Sequence, residues 1–235
     1  MKTLGIIGGL GPLASAEFYK KICKMTDASS DQEHIDAVIT SFSSTPDRSA
    51  FVLGESDKSP LPKLKNALAA LESCGAEVIV MPCNTADFFY DELHLLTSAD
   101  FPSITRETVV YAYSRGARKL GIIATDGTVN GAIYHRLCDE YGITPLFPDK
   151  RDQTNIVNDI YSIIKAGNSD VKSVYRVAMS LLEKCDKVVF ACTELSLIDI
   201  SMWQIKNNII DSTDVLARRA IELCGAKLRA EYIER

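Results

Sequence analysis

Apolar positions along this chain alternate between two patterns. Short, nearly solid runs rich in Val and Ile occur at 3–8, 37–41, 77–82, 103–104, 119–124, 144–147, 187–191 and 209–210. Such runs, bounded by turn formers, predict buried strands. Between them lie longer segments whose apolar residues recur every three or four positions, at 12–26, 60–73, 85–96, 105–115, 127–141, 153–165, 170–184 and 212–230. These predict amphipathic helices. Strict alternation of the two indicates an α/β fold with mainly parallel sheets joined by right-handed crossovers. The most irregular stretch, residues 43–60, is rich in turn formers and long enough to serve a function.

The pattern also repeats weakly. Leu4-Gly5-Ile6-Ile7 recurs as Leu120-Gly121-Ile122-Ile123, an offset of 116 (120 − 4). Tyr19 and Tyr134 are offset by 115 (134 − 19), and Cys83 and Cys192 by 109 (192 − 83). Ordered features at near-equal offsets point to a duplicated α/β unit. The expected division is a first lobe of 1–104 completed by 208–235, and a second lobe of 105–207. Ligands of parallel sheets bind beyond the strands' C-terminal ends, so two such lobes would share one cleft.

Cys83 and Cys192 occupy matching places in this repeat. Each follows a β-branched run, and each is followed at once by helix-starting residues, Asn84-Thr85 and Thr193-Glu194. A thiol at a helix N-terminus is expected to feel the positive end of the dipole, which favours its thiolate. Two such groups suit a reaction in which one thiolate removes a proton and one thiol returns it from the other side. The neighbouring Asn and Thr side chains are suited to holding a carboxylate.

Other candidates are weaker. Gly9-Leu-Gly11-Pro-Leu-Ala14 fits the start of a dinucleotide fingerprint. However, Pro12 removes a backbone donor from the helix start, and the second strand ends without an acidic residue for a ribose. The preferred reading is an open loop around Gly11 that lets a small anionic ligand approach. Arg48, in the irregular stretch, can reach the same cleft and suits bidentate carboxylate binding. Lys165 ends a predicted helix, where a Lys ordinarily offsets the dipole. Asp87 and Glu194 are candidate tuning groups, since a nearby carboxylate raises a thiol pKa. His34, His94 and His135 stand apart without ligand or triad spacing and are read as structural. No nucleophile elbow, HExxH or P-loop pattern occurs.

Composition narrows the class. The chain has 235 residues, 46% hydrophobic and 24% charged, as expected of a globular protein. A net charge of −5 argues against nucleic acid and anionic membrane surfaces as partners. No apolar run approaches a bilayer span, and the first residues lack a signal-peptide apolar region. The seven cysteines include no CxxC pair. Neither a disulfide framework nor a metal site is therefore expected, and a reduced, cytoplasmic protein is. Cys23, Cys74, Cys138, Cys185 and Cys224 are read as small core residues.

Six segments together resemble the cofactor-independent aspartate/glutamate racemase family: Gly8-Gly-Leu-Gly-Pro-Leu-Ala-Ser15, Pro46-Asp-Arg48, Met81-Pro-Cys-Asn-Thr-Ala86, Ala124-Thr-Asp-Gly-Thr128, Lys165-Ala-Gly-Asn168 and Ala191-Cys-Thr-Glu-Leu195. The resemblance runs nearly end to end. It implies two pseudo-symmetric lobes, an active-site cleft between them, no pyridoxal phosphate or metal, and a homodimer. It makes Cys83 and Cys192 the acid/base thiols and assigns Arg48 and Lys165 to the substrate's distal carboxylate. It places Asn84, Thr85, Thr125 and Thr193 around the α-carboxylate and amino group. The implied activity is racemisation of an acidic amino acid, aspartate before glutamate. One departure stands out: the family commonly reads CNTAH, where this chain has Asp87. In the cleft that carboxylate would oppose an acidic substrate. Two alternatives remain at this stage. One is a related enzyme of the maleate isomerase or arylmalonate decarboxylase type, using a single cysteine. The other is a non-catalytic amino-acid-binding protein, which Asp87 alone favours.

Overall fold

The structure, a computed structural model, describes residues 1–166 and 172–233, with backbone alone for 163–166. Among the described residues, seven strands form two sheets: β1 (Leu4–Gly8), β2 (Ala37–Ser41), β3 (Val78–Val80), β4 (Lys119–Ile123), β5 (Thr144–Leu146), β6 (Lys187–Phe190) and β7 (Ile209–Asp211). The first sheet has the order β2-β1-β3 and the second β5-β4-β6-β7, and every strand pair in them is parallel. The duplication read from the sequence is therefore present in the topology. β1 and β4, which carry the LGII repeat, take equivalent places, and the strands before Cys83 and Cys192 each lie beside them. Every residue of β1 and β3 is buried, as expected of strands covered on both faces, whereas β2 and β5 are half-exposed edges.

Helices cover both faces of the sheets. They are α1 (Pro12–Met25), α2 (Arg48–Val52), α3 (Leu61–Ser73), α4 (Tyr90–His94), α5 (Ile104–Ser114), α6 (Asp126–Asn130), α7 (Ile133–Glu140), α8 (Lys150–Ala166), α9 (Lys172–Leu182), α10 (Ser212–Leu223) and α11 (Ala230–Ile233). The repeated glycine of LGII has one job in both lobes. A Cβ on Gly5 would lie 2.9 Å from Ala76 Cβ and 3.2 Å from Leu71 Cβ; one on Gly121 would lie 3.1 Å from Leu181 Cβ. The bare backbone lets α3 and α9 settle onto the central strands.

The two lobes are joined by α5 and α10. Leu216, Ala217, Ala220 and Ile221 of α10 pack in the first lobe's core, while Val215 belongs to the second lobe's core. Ile104 and Val109 divide α5 in the same way. The end of β7 is tied to α1: Lys21 reaches Asp211 at 2.6 Å and Asp214 at 2.5 Å, and its side chain is only 14% exposed. β7 pairs with β6 in the second sheet, so the expected boundary at 208 falls one strand too early.

Several expected elements differ. Residues 103–104 form no strand. Ser103 instead caps α5, accepting the Arg106 N–H at 3.1 Å, and only a single bridge joins Val78 to Asp100. The helix expected over 127–141 breaks at Ala132, which adopts a left-handed conformation (φ 52°). The helix expected over 212–230 stops at Leu223, before Gly225. The helix expected over 85–96 begins as a tight 3₁₀ turn at Ala86–Phe89 and ends as α4. Among the other cysteines, Cys138 and Cys224 are buried as expected, but Cys74 is exposed at the end of α3.

Asp87 in that 3₁₀ turn is buried and aimed at the start of α5. It accepts the Ser103 hydroxyl at 2.6 Å, the Thr105 N–H at 3.3 Å and the Thr105 hydroxyl. Burial pushes its pKa up, against these hydrogen bonds. Its place favours a carboxylate, at the positive end of a helix. Removing the acceptor strands three buried donors, each costing about 1–3 kcal/mol if left unpaired. We expect D87A to lose about 2 kcal/mol or more of unfolding free energy in urea titrations, and D87N, which keeps an acceptor, to lose less. Equal losses in the two variants would contradict this role.

Candidate active site

The C-terminal ends of the strands converge on one cleft between the lobes. It encloses a cavity of about 80 Å³ lined by Leu10, Asp47, Arg48, Ser49, Cys83, Asn84 and Thr85 from the first lobe. The second lobe supplies Thr125, Ile160, Tyr161, Cys192, Thr193 and Glu194. Both candidate thiols thus line one cavity, each from the end of a topologically equivalent strand. They are 7% and 6% exposed for Cys83 and Cys192, so a reacting carbon between them would be largely shielded from water.

The electrostatics of the two thiols differ. Burial pushes the Cys83 thiol up, while the Arg48 guanidinium and the Ala86 N–H pull it down. Burial pushes Cys192 up further, and the Glu194 carboxylate adds to it, accepting the Cys192 S–H at 3.0 Å. The thiolates expected from helix dipoles are therefore not favoured. The physical reason is that both cysteines are buried and are followed by 3₁₀ turns, Ala86–Phe89 and Thr193–Leu197, rather than by long helices. A single tight turn aligns few peptide dipoles, so burial dominates.

Arg48 opens α2 instead of lying in a loop, and Asp47 caps that helix by accepting the Ala50 N–H at 3.0 Å. Its guanidinium is fixed by two backbone carbonyls, Leu10 at 3.0 Å and Pro46 at 3.2 Å. Its Nε is buried without a protein partner. Opposite, a threonine cluster crosses the cleft: Thr85 Oγ1 lies 3.0 Å from Thr125 Oγ1 and 2.8 Å from Thr128 Oγ1. The Thr193 hydroxyl donates to Glu194 at 3.2 Å. Asn84 bridges to Tyr134 and Ser212.

Among the expected site residues, the structure brings together Cys83, Cys192, Arg48, Asn84, Thr85, Thr125, Thr193 and Glu194. Two are placed otherwise. Gly11 does not line the cavity: a Cβ there would collide with Glu194 Oε1, and the residue has φ 135°. The glycine loop is also closed on itself, through Gly9 N–H to Ser15 Oγ at 3.0 Å and Ser15 Oγ to Gly11 O at 2.8 Å. It is therefore no open anion loop. Asp87 is turned to α5, as described, and is no cleft anion. Lys165 lies in α8, but its side chain falls outside the described residues. Sequence reading missed Ser49, Tyr161 and Thr128. Thr128 lies within the family-like 124–128 segment, whereas Ser49 and Tyr161 have no signal of their own. Among the described residues, no cluster of three or more His, Cys, Asp or Glu could hold a metal ion.

The chain is 27% identical over 227 residues to the broad specificity amino-acid racemase RacX of Bacillus subtilis (strain 168), covering 93% of this chain and 96% of that protein. Its fold is similar to an aspartate racemase of Picrophilus torridus, with a TM-score of 0.89 and 29% identity over 99% of this chain and 98% of that one. A glutamate racemase of Francisella tularensis, solved with D-glutamate, shares the fold at a TM-score of 0.64 and 16% identity, covering 94% of this chain and 80% of that one. Residues 7–220 match the Asp/Glu/Hydantoin racemase family, and the chain belongs to that family.

Proposed function

We propose that the protein is a cofactor-independent racemase of acidic amino acids, aspartate before glutamate. The observation that carries this is the placement of Cys83 and Cys192, from opposite lobes, in one buried cavity. Racemisation needs a proton taken from one face of Cα and one given to the other. One thiolate abstracts and the opposite thiol donates, and in the reverse direction they exchange roles. A single-cysteine isomerase or decarboxylase would need no second buried thiol. The binding-protein alternative rested on a cleft carboxylate at Asp87, and Asp87 lies elsewhere.

The weakly acidic Cα–H is the chemical difficulty. Donors on the carboxylate stabilise charge that develops there, and closure excludes water. Asn84, Thr85, Thr125 and Thr193 supply amide and hydroxyl groups for that end of the substrate. Arg48, held by two carbonyls, suits the distal carboxylate, with Lys165 as its proposed partner. Both thiols are raised by burial, so thiolate formation needs an added positive charge. The substrate's ammonium group brings one into the cleft. The same reading includes a cytoplasmic homodimer. Seven free cysteines without a disulfide suit a reducing compartment, and the exposed side chains of Phe88, Leu95 and Leu96 offer apolar surface to a second subunit.

Proton NMR with chiral analysis, on L- and D-aspartate and glutamate in D₂O without cofactor, tests the activity. Loss of the Cα proton signal with appearance of the opposite enantiomer is expected, fastest with aspartate. C83S and C192S are each expected to lose about 10³-fold or more in racemisation, with exchange retained on at most one enantiomer. Undiminished racemisation in both variants would defeat the two-thiol mechanism. E194Q removes a charge that raises the Cys192 pKa, so the pH limb belonging to Cys192 is expected to move to lower pH. That is the rising limb when Cys192 is the base and the falling limb when it is the acid. A limb that stays in place, or moves to higher pH, would contradict this role of Glu194.

A further inference from the structure

One hydrogen-bonded chain runs from the second lobe through the Cys83 turn and back. The Tyr134 hydroxyl, from α7, donates to Asn84 Oδ1 at 2.7 Å. Asn84 Nδ2 donates to Ser212 Oγ at 3.0 Å, and Ser212 Oγ donates to the Phe190 carbonyl at 2.8 Å. All three polar side chains are buried: Tyr134 and Ser212 are 0% exposed and Asn84 2%. Asn84 adjoins Cys83, and Phe190 lies two residues before Cys192.

The direction of every proton in this chain follows from its end. A backbone carbonyl only accepts, so Ser212 must spend its single proton on Phe190. Ser212 Oγ is then an acceptor toward Asn84, which must present its NH₂ group there. Asn84 Oδ1 is left facing Tyr134, which donates. An amide oxygen only accepts, so the Tyr134 hydroxyl spends its single proton on Asn84 Oδ1 at 2.7 Å. A flipped amide would set Oδ1 against Ser212 Oγ, an acceptor facing an acceptor. The assignment leaves Asn84 one uncommitted N–H, and it turns the carbonyl toward Tyr134, on a residue that lines the cavity.

We propose that Tyr134 and Ser212 are positioning residues for the reaction: they lock the Asn84 amide so that it offers the substrate carboxylate an N–H and never a carbonyl, and they tie the Cys83 turn to the strand end bearing Cys192. The inference rests on the racemase reading above. Neither residue touches the cavity, so each acts through Asn84. Without the lock the amide can rotate, and its carbonyl would repel the carboxylate it should bind. Tyr134 suits the task because burial holds its phenol well above its ordinary pKa, keeping it a donor.

The test compares wild type, Y134F, S212A and the double variant. Wild type is first assayed on aspartate, glutamate and neutral amino acids, and its best substrate is used throughout, so a failure with aspartate concerns the substrate reading alone. Loss of one hydrogen bond to a charged carboxylate corresponds to about tenfold in affinity. Each single variant is expected to raise KM about tenfold with kcat within about threefold. The double variant is expected to be no worse than about twofold beyond the worse single one, because both act through one amide. A lowered Tm with unmoved KM, or single effects that multiply in the double variant, would overturn the proposal. Should Y134F fail to fold, S212A carries the same KM test. A readout independent of turnover is the Asn84 side-chain amide in ¹⁵N NMR. One of its protons is expected to be protected from solvent exchange in wild type and unprotected in S212A. Equal exchange in the two proteins would also overturn the lock, even if no amino acid were racemised.

Discussion

Inverting a stereocentre by proton transfer requires an acid and a base on opposite sides of one carbon, and the architecture of this protein can be understood as meeting that constraint. A single α/β lobe presents its strand ends to one side only. Duplicating the lobe and turning the copies toward each other gives two strand ends facing across a gap. Cys83 follows β3 and Cys192 follows β6, each beside the central strand of its own sheet. The helices α5 and α10, with residues in both cores, fix how far apart those ends stand. Polar groups then bridge the remaining gap, with Thr85, Thr125 and Thr128 on one side and Asn84, Tyr134 and Ser212 on another.

Burial sets the chemistry in a cleft of this kind. It excludes the water that would quench a carbanion-like species, but it also makes each thiolate costly. The protein does not relieve that cost symmetrically. Cys83 has the Arg48 guanidinium nearby, while Cys192 hydrogen-bonds the Glu194 carboxylate. Both thiols are held toward the protonated form, Cys83 less strongly than Cys192. Gly11 belongs to the same arrangement from a distance, since any side chain there would collide with Glu194.

Much of this was legible in the sequence, because solid apolar runs and repeated motifs report directly on burial and topology. The LGII repeat identified the central strands, and the matched cysteines identified both walls of the cleft. What failed were readings that needed direction. Asp87 sits four residues after Cys83, yet its side chain turns away to the start of α5, where Ser103 and Thr105 supply donors. Ser103 read as strand because it adjoins Ile104, while its hydroxyl in fact caps a helix. Gly11 read as an anion loop, but its open space is taken by Glu194, a residue 183 positions later (194 − 11). The preference expected for thiolates failed because spacing reveals a helix start but not how short or how buried the turn will be. Tyr134 is visible in the sequence only as a mark of the repeat and Ser212 only as the start of a helix, since the contacts both make with Asn84 form only once the two lobes meet.

The most direct test of the two-thiol account is the fate of solvent deuterium early in the reaction. Starting from one enantiomer of aspartate in D₂O, the account predicts that the product enantiomer carries deuterium at Cα from the first turnovers, while recovered substrate keeps its proton. Deuterium entering the recovered substrate as fast as the product, or a product that retains the original proton, would show that a single group works both faces and would contradict the account.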